Sequence, residues 1–316
     1  MWWCAHDQNE LESFPYSVQM VERELGMLDV NHKPKPVLKE MKAFSVWLDG
    51  LDFELPKPQI DAVCVLTRNQ EHWGIAYMTY ILSRMVGLNC DFAYGDNQLP
   101  DSKIYLLPSI CGVQVLPKAR YDELRKKVYD GADLYISIDN AILSEFERLT
   151  GLKVIDSYGY PEKGTVTIGG KDIDFSRIRN INVEPVNAEV LLYDNNKKPF
   201  LTVNRYGKGR VFFVNAPVEK NLINLHNAFE GNTYLIYQML FDEYSNRYPI
   251  RLSDKELVMT YHSTDDGAFV VIINHHGEEK FFTVEIENAY AIDKTYYGNI
   301  GKISPYDACV FSIIRA

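Results

Sequence analysis

The period of the apolar positions changes along this chain, and each change marks a new kind of segment. Near the middle, Ala62-Val-Cys-Val-Leu-Thr67 is a continuous apolar run between Asp61 and Arg68, with the turn-formers Asn69 and Gln70 behind it. A short unbroken run of this kind reads as a strand buried on both faces. Over 73–86 the spacing becomes helical, and Gly87 supplies the C-cap. A buried strand feeding an amphipathic helix opens a parallel α/β sheet. Further strands are expected over 90–94, 102–108 and 132–138. Helices are expected over 117–129, with Leu124 and Val128 inward, and over 141–150, ending at Gly151.

After Gly151 the pattern alternates, which predicts strands over 154–157, 164–168, 189–193 and 200–205. Tyr206-Gly-Lys-Gly-Arg210 reads as a hairpin turn into a strand over 211–215, and 232–244 as a closing helix. Beyond residue 247 only short alternating runs remain, over 257–262, 268–274, 281–286 and 309–314, with turns at Asp265-Asp-Gly267 and His276-Gly277. That spacing is typical of an all-β meander or sandwich, and a small all-β sandwich domain is expected. Ahead of the stiff linker Leu55-Pro-Lys-Pro58, the chain reads as an apolar strand ending at His6 and Asp7 and a polar loop over 8–30. A helix follows with Val37, Leu38, Met41, Phe44, Val46, Trp47 and Leu48 at helical spacing. Pro36 fits the first turn of that helix, where its missing N–H costs nothing. One βα unit cannot bury both of its faces. The expected division is 1–56, 57–247 and 248–316.

At 316 residues the chain is too long for one ordinary core, in keeping with that division. A net charge of −10 argues against nucleic acid as a partner. Cys4, Cys64, Cys90, Cys111 and Cys309 are scattered and form no CxxC pair, so neither a disulfide framework nor a zinc site is indicated. They fit a reducing compartment. The N-terminus has no basic region or apolar signal core, and no apolar run reaches membrane-spanning length, so a cytoplasmic protein without membrane contact is expected. Whether Met1 is a start or an internal methionine stays open.

Candidate chemistry is thin. Gly207-Lys-Gly209 lacks the phosphate-loop pattern and precedes a strand, so it reads as a turn. Pro108-Ser-Ile-Cys-Gly112 follows a buried strand and hints at a nucleophile elbow, but a cysteine nucleophile needs a base and oxyanion donors beside it. His226 is the one histidine of the central region outside the first helix. His275-His276 sits at a strand end, where neighbouring side chains point apart, and reads as a solvated turn rather than a metal site. No cofactor is expected.

Trp2-Trp-Cys-Ala-His-Asp-Gln8, Glu24-Leu-Gly26 and Lys35-Pro36 resemble the last βα unit of a (β/α)8-barrel glycoside hydrolase, of the retaining clan that includes families 5 and 42. The resemblance implies that Trp2, Trp3, His6 and Asp7 lie at the sugar-binding face of a barrel. It departs from the clan in lacking the strands that carry the two catalytic carboxylates, which in retaining enzymes stand about 5 Å apart. Asp7 alone cannot do both jobs. The succession of strand, Pro108 loop, helix and Gly131-Ala-Asp strand, with Tyr206-Gly-Lys-Gly-Arg-Val211, resembles the glutamine-amidotransferase-like (flavodoxin-like) fold that serves family 42 β-galactosidases as a trimerisation domain. Val270-Val-Ile-Ile-Asn-His275 and Ile303-Ser-Pro-Tyr-Asp-Ala-Cys-Val310 resemble the small β domain that closes many glycoside hydrolases. The resemblance implies an α/β chain formed by a βα barrel remnant, an amidotransferase-like domain and a β-sandwich. It implies a non-catalytic C-terminal portion of a glycoside hydrolase with a scaffold or oligomerisation role, and a homo-oligomer and a saccharide as partners. Two other readings are an amidotransferase-like hydrolase using Cys111 and a carbohydrate-binding module.

Overall fold

The computed structural model describes residues 4–8, 14, 24–141, 143–245 and 248–316. The chain divides into two compact units, Met1–Leu55 and Pro56–Ala316. In the first, β1 (Cys4–His6) pairs in parallel with β2 (Gly26–Leu28), and α1 (Pro36–Asp49) follows with Pro36 in its first turn. None of the residues of α1 is buried, and Met41, Phe44, Val46 and Leu48 are all exposed. The expected helix forms, with Val37, Leu38 and Trp47 half-buried.

The second unit is built on a seven-stranded sheet. Its strands are β3 (Ala62–Leu66), β4 (Cys90–Tyr94), β5 (Ile104–Ile110), β6 (Asp133–Ile138), β11 (Glu189–Tyr193), β12 (Pro199–Tyr206) and β13 (Gly209–Val214), in the order β11-β12-β13-β6-β5-β3-β4. The parallel strands β3, β4, β5, β6 and β13 thus lie in the order 2-1-3-4-5 of flavodoxin-like sheets. The inner strands β3, β5 and β6 are buried along their whole length because each face meets a separate core, whereas the edge strand β4 is largely exposed. Cys64, Leu106, Tyr135 and Phe212 point to the side packed by α2 (His72–Met85), α5 (Val218–Leu222) and α6 (Tyr234–Ser245). Val65, Tyr105, Ile136 and Phe213 point to the side packed by α3 (Lys118–Asp130) and α4 (Phe146–Thr150). Two antiparallel ladders branch off, β7 (Leu152–Tyr158) with β10 (Asn180–Pro185), and β8 (Glu162–Ile168) with β9 (Lys171–Arg177).

The last segment has its own core, including Ile250, Tyr261, Val270, Cys309 and Phe311. Four strands, β15 (Val258–Ser263), β16 (Gly267–Ile273), β21 (Ala308–Arg315) and β19 (Tyr290–Tyr297), form an antiparallel sheet in that spatial order. β14 (Ile250–Leu252) pairs with β18 (Val284–Ile286), and β17 (Lys280–Phe281) with β20 (Lys302–Ile303). Polar contacts fasten this segment to the α/β sheet. The Tyr248 hydroxyl donates to Asp61 Oδ1, Gln59 N–H donates to Tyr261 O at 2.8 Å, and an Arg84 guanidinium N–H donates to Met259 O at 3.0 Å.

Several expectations are corrected. The helix expected over 141–150 shrinks to α4, and the run 281–286 splits between β17 and β18. β2 (inside the expected loop 8–30), β9, β10, β14, β19, β20 and α5 were not anticipated; β19 is mostly exposed and lacks the apolar alternation that reveals a strand. The Gly207-Lys208 turn forms as read, with Lys208 N–H donating to Tyr129 O at 2.9 Å. Gly209 beside it is required by space, because a Cβ there would stand 2.0 Å from Ala132 O and 2.4 Å from Val128 O. Gly209→Ala is therefore expected to lower unfolding free energy by about 3 kcal/mol, read from the urea midpoint. Gly169→Ala, at φ +57° with open space around it, should cost less.

Candidate functional site

Of the four residues assigned to a sugar-binding face, Trp2 and Trp3 lie outside the described residues. His6 and Asp7 end β1 but engage different partners. The His6 ring is exposed and stacks on His32 with centroids 5.2 Å apart. The Asp7 carboxylate accepts from Lys35 Nζ at 2.9 and 3.2 Å and from Gly26 N–H at 2.8 Å. Lys35 Nζ also donates to Glu24 O at 2.8 Å. The residues that carry the βα resemblance are therefore knotted together: Asp7 binds both the start of β2 and the residue that caps α1. The Lys35 ammonium, with help from the Gly26 N–H, holds the Asp7 carboxyl below its ordinary range. This arrangement organises a loop.

Open α/β sheets usually bind ligands beyond the carboxyl ends of their strands, at the point where strand order reverses. Here that point lies between β3 and β5. The Gln70 side chain bridges the two strands, accepting from Thr67 N–H at 2.6 Å and donating to Pro108 O. The Cys111 thiol donates to Asn69 O at 2.7 Å, and Gly112 N–H donates to Asn140 Oδ1 at 2.8 Å. Thr67 Oγ1 and Asp139 Oδ1 are buried without a hydrogen-bond partner among the described residues, positions suited to buried water.

Behind these loops lies a polar cluster that sequence reading missed. Glu219, on α5, is fully buried. Its Oε1 accepts from the hydroxyls of Tyr135 at 2.6 Å and Tyr237 at 2.8 Å. Its Oε2 accepts from the hydroxyls of Ser109 at 2.7 Å and Ser137. A carboxylate offers about four lone-pair sites, and four hydroxyls fill them. Burial, and secondarily the Glu219 charge, push the Tyr135 and Tyr237 phenols well above their usual range. Ser109 itself has φ +43°, the strained backbone expected of an elbow residue.

The elbow therefore falls on Ser109, two residues before Cys111. Ser109 is 2% exposed and its proton is directed at Glu219, so it is closed to any substrate. Cys111 departs from an activated nucleophile in the opposite sense: burial, then the Asp139 charge, raise its thiol pKa, with Lys220 offsetting part of this. No histidine hydrogen-bonds it among the described residues, and His226 is exposed. His275 and His276 are exposed after β16, and the described residues hold no metal-binding group of three or more His, Cys, Asp or Glu.

Two outcomes follow from these contacts. Glu219→Gln places amide hydrogens against hydroxyls that already donate, and should cost at least about 2 kcal/mol in urea unfolding, without changing quaternary state. Asp7 has a folded pKa below its unfolded one, so its contribution to stability is present above the unfolded pKa. That contribution is lost as pH falls below about 4. Asp7→Asn should flatten that acid limb for the first unit in hydrogen exchange of the β2 amides, whereas an unchanged limb would refute the Lys35 pairing.

No family model matches this chain, and no curated protein matches it. Solved structures do match in fold. A β-galactosidase from Rahnella sp. aligns with TM-score 0.67 at 12% identity, covering 98% of this chain and 48% of the other. A catalytic mutant of the family 42 β-galactosidase Gan42B from G. stearothermophilus aligns with TM-score 0.66 at 14% identity, covering 94% and 47%. An exo-β-1,4-mannosidase from an Opitutaceae bacterium aligns with TM-score 0.56 at 18% identity, covering 77% and 44%. The chain spans about half the length of the structures it matches. In fold, it matches just under half of each of these family 42 β-galactosidase structures.

Proposed function

We propose that this chain is the non-catalytic C-terminal portion of a glycoside hydrolase and acts as a scaffold for assembly. The observation that carries this reading is a fold match over nearly the whole chain to about half of enzymes that are glycoside hydrolases. In this reading the first unit is the last βα unit of a barrel, the central sheet is an amidotransferase-like trimerisation domain, and the tail is a β-sandwich. The exposure of Met41, Phe44, Val46 and Leu48 on α1 supports the first assignment. A βα unit packed in a complete barrel would bury those side chains, and most helical stability comes from such packing. The 2-1-3-4-5 strand order, with an elbow residue that carries no accessible nucleophile, supports the second.

Retaining hydrolysis needs two carboxylates, one as nucleophile and one as acid/base. The Asp7 carboxylate is committed to Lys35 and Gly26, and a unit of two short strands and one helix cannot place a partner across a sugar. The purified chain is therefore expected to leave aryl β-galactosides, β-mannosides and α-fucosides intact while forming a defined oligomer in light scattering. Turnover abolished by Asp7→Asn would overturn the catalytic silence. A monomer at every concentration would overturn the assembly role.

A further inference from the structure

The outward side of α2 is not composed as a solvent-facing helix surface. Residues 72–83 contain no Asp, Glu, Lys or Arg. Ile75, Met78, Thr79, Leu82 and Ser83 turn inward and are buried. At 3.6 residues per turn, the opposite side carries Trp73, Tyr77, Tyr80 and Arg84 in one stripe. Trp73 is 88% exposed and Tyr77 56%. The stripe widens into a patch. His72 meets Tyr94 with ring centroids 5.6 Å apart, and Tyr80 meets Phe92 at 6.4 Å, both rings belonging to β4 at the edge of the sheet. From Tyr77 the patch continues to Phe229, edge-on at 6.0 Å, and the segment after α5 adds the exposed Leu225. A helix that is apolar all round is normally a buried one.

We propose that this face is a twofold interface with a second copy of the chain, α2 packing antiparallel against α2 of the other copy. Area, charge and symmetry select that occupant. The exposed parts of Trp73, Tyr77, Phe92, Tyr94 and Leu225 amount to about 500 Å² per copy, taking roughly 200 Å² for a whole aromatic side chain. A standard interface buries about 800 Å² per partner, of which roughly 60% is apolar, so these five side chains supply its apolar share. Two copies of net charge −10 repel, and a charge-free face is where they can meet at least cost. A basic partner would instead need carboxylates, which α2 lacks between Glu71 and Arg84. An axis between Tyr77 and Tyr80 sets Tyr77 of one copy against Tyr80 of the other, and Trp73 against Arg84. The stripe is thus complementary to itself, as a twofold contact requires. Its outer pair brings a guanidinium to an indole face. This goes beyond the scaffold reading, which names no surface, and a twofold contact is distinct from a threefold one.

The test is the mass of the full chain by light scattering at about 50 µM, where an interface of this size should hold. The parent is expected to be an even-numbered oligomer. Trp73→Lys, which sets an ammonium against Arg84, and Tyr77→Glu should each weaken association at least about tenfold and halve that mass. Both positions are exposed, so far-UV circular dichroism should match the parent. Tyr129→Lys, equally exposed at 56% but on α3 across the sheet, should leave the mass unchanged. Halving to a trimer supports both this contact and a trimerisation domain, whereas halving to a monomer supports this contact alone. A parent with an odd number of copies overturns the proposal and leaves the assembly role standing. An even-numbered parent that neither variant halves, or that Tyr129→Lys also halves, overturns it as well. A parent monomer overturns both.

Discussion

The central sheet depends on how one buried carboxylate is kept from becoming a liability. Moving Glu219 out of water costs several kcal/mol unless its oxygens are fully hydrogen-bonded. The compensation comes from four hydroxyls on three elements: Ser109 of β5, Tyr135 and Ser137 of β6, and Tyr237 of α6. With Glu219 itself on α5, the cluster fixes two adjacent strands and two helices in one register. A slip of β6 by one residue would send Tyr135 and Ser137 to the opposite face and leave the carboxylate bare. A fully satisfied buried network of this kind specifies a unique core.

That constraint explains why the elbow is inert. Ser109 adopts its left-handed backbone with its N–H on Ser137 and its hydroxyl on Glu219, and Lys220 N–H closes the remaining position at 3.1 Å. The strain that active sites use to present a nucleophile is here turned inward and offset by hydrogen bonds. Asp61 plays a similar part at the other end of the sheet, where its oxygens take Asn89 N–H at 2.7 Å and the Tyr248 hydroxyl, joining β3 to the β segment.

Sequence legibility followed interaction range. β3 was plain because five successive buried residues leave a local signature, and α2 because one face repeats. Asp7, Gly26 and Lys35 all belong to the motifs that carry the βα resemblance, but the contacts among them, 19 and 28 residues apart, were not read from the sequence. Glu219 was invisible: Pro217-Val-Glu-Lys220 looks like a polar loop, and its partners Ser109 and Tyr135 lie 110 and 84 residues away. The elbow was located to within two residues, but the wrong side chain drew attention, since cysteine suggests chemistry and a buried serine suggests none. The apolar spacing of α1 was read correctly as helical, and its lack of buried residues agrees with the expectation that one βα unit cannot bury both of its faces.

Where chemistry can reside then follows from hydrogen-bond supply. At the switch point, Gln70 spans β3 and β5, Cys111 meets Asn69, and Asn140 meets Gly112, so the loop groups that would greet a ligand greet one another. An α/β sheet closed in this way loses its customary site. Thr67 Oγ1 and Asp139 Oδ1 are the exceptions there, buried with no hydrogen-bond partner among the described residues. Buried donors left unmet cost roughly 1–3 kcal/mol, which a ligand or water would recover. Those two positions are suited to buried water, while the other polar groups at the strand ends are spent on the fold itself.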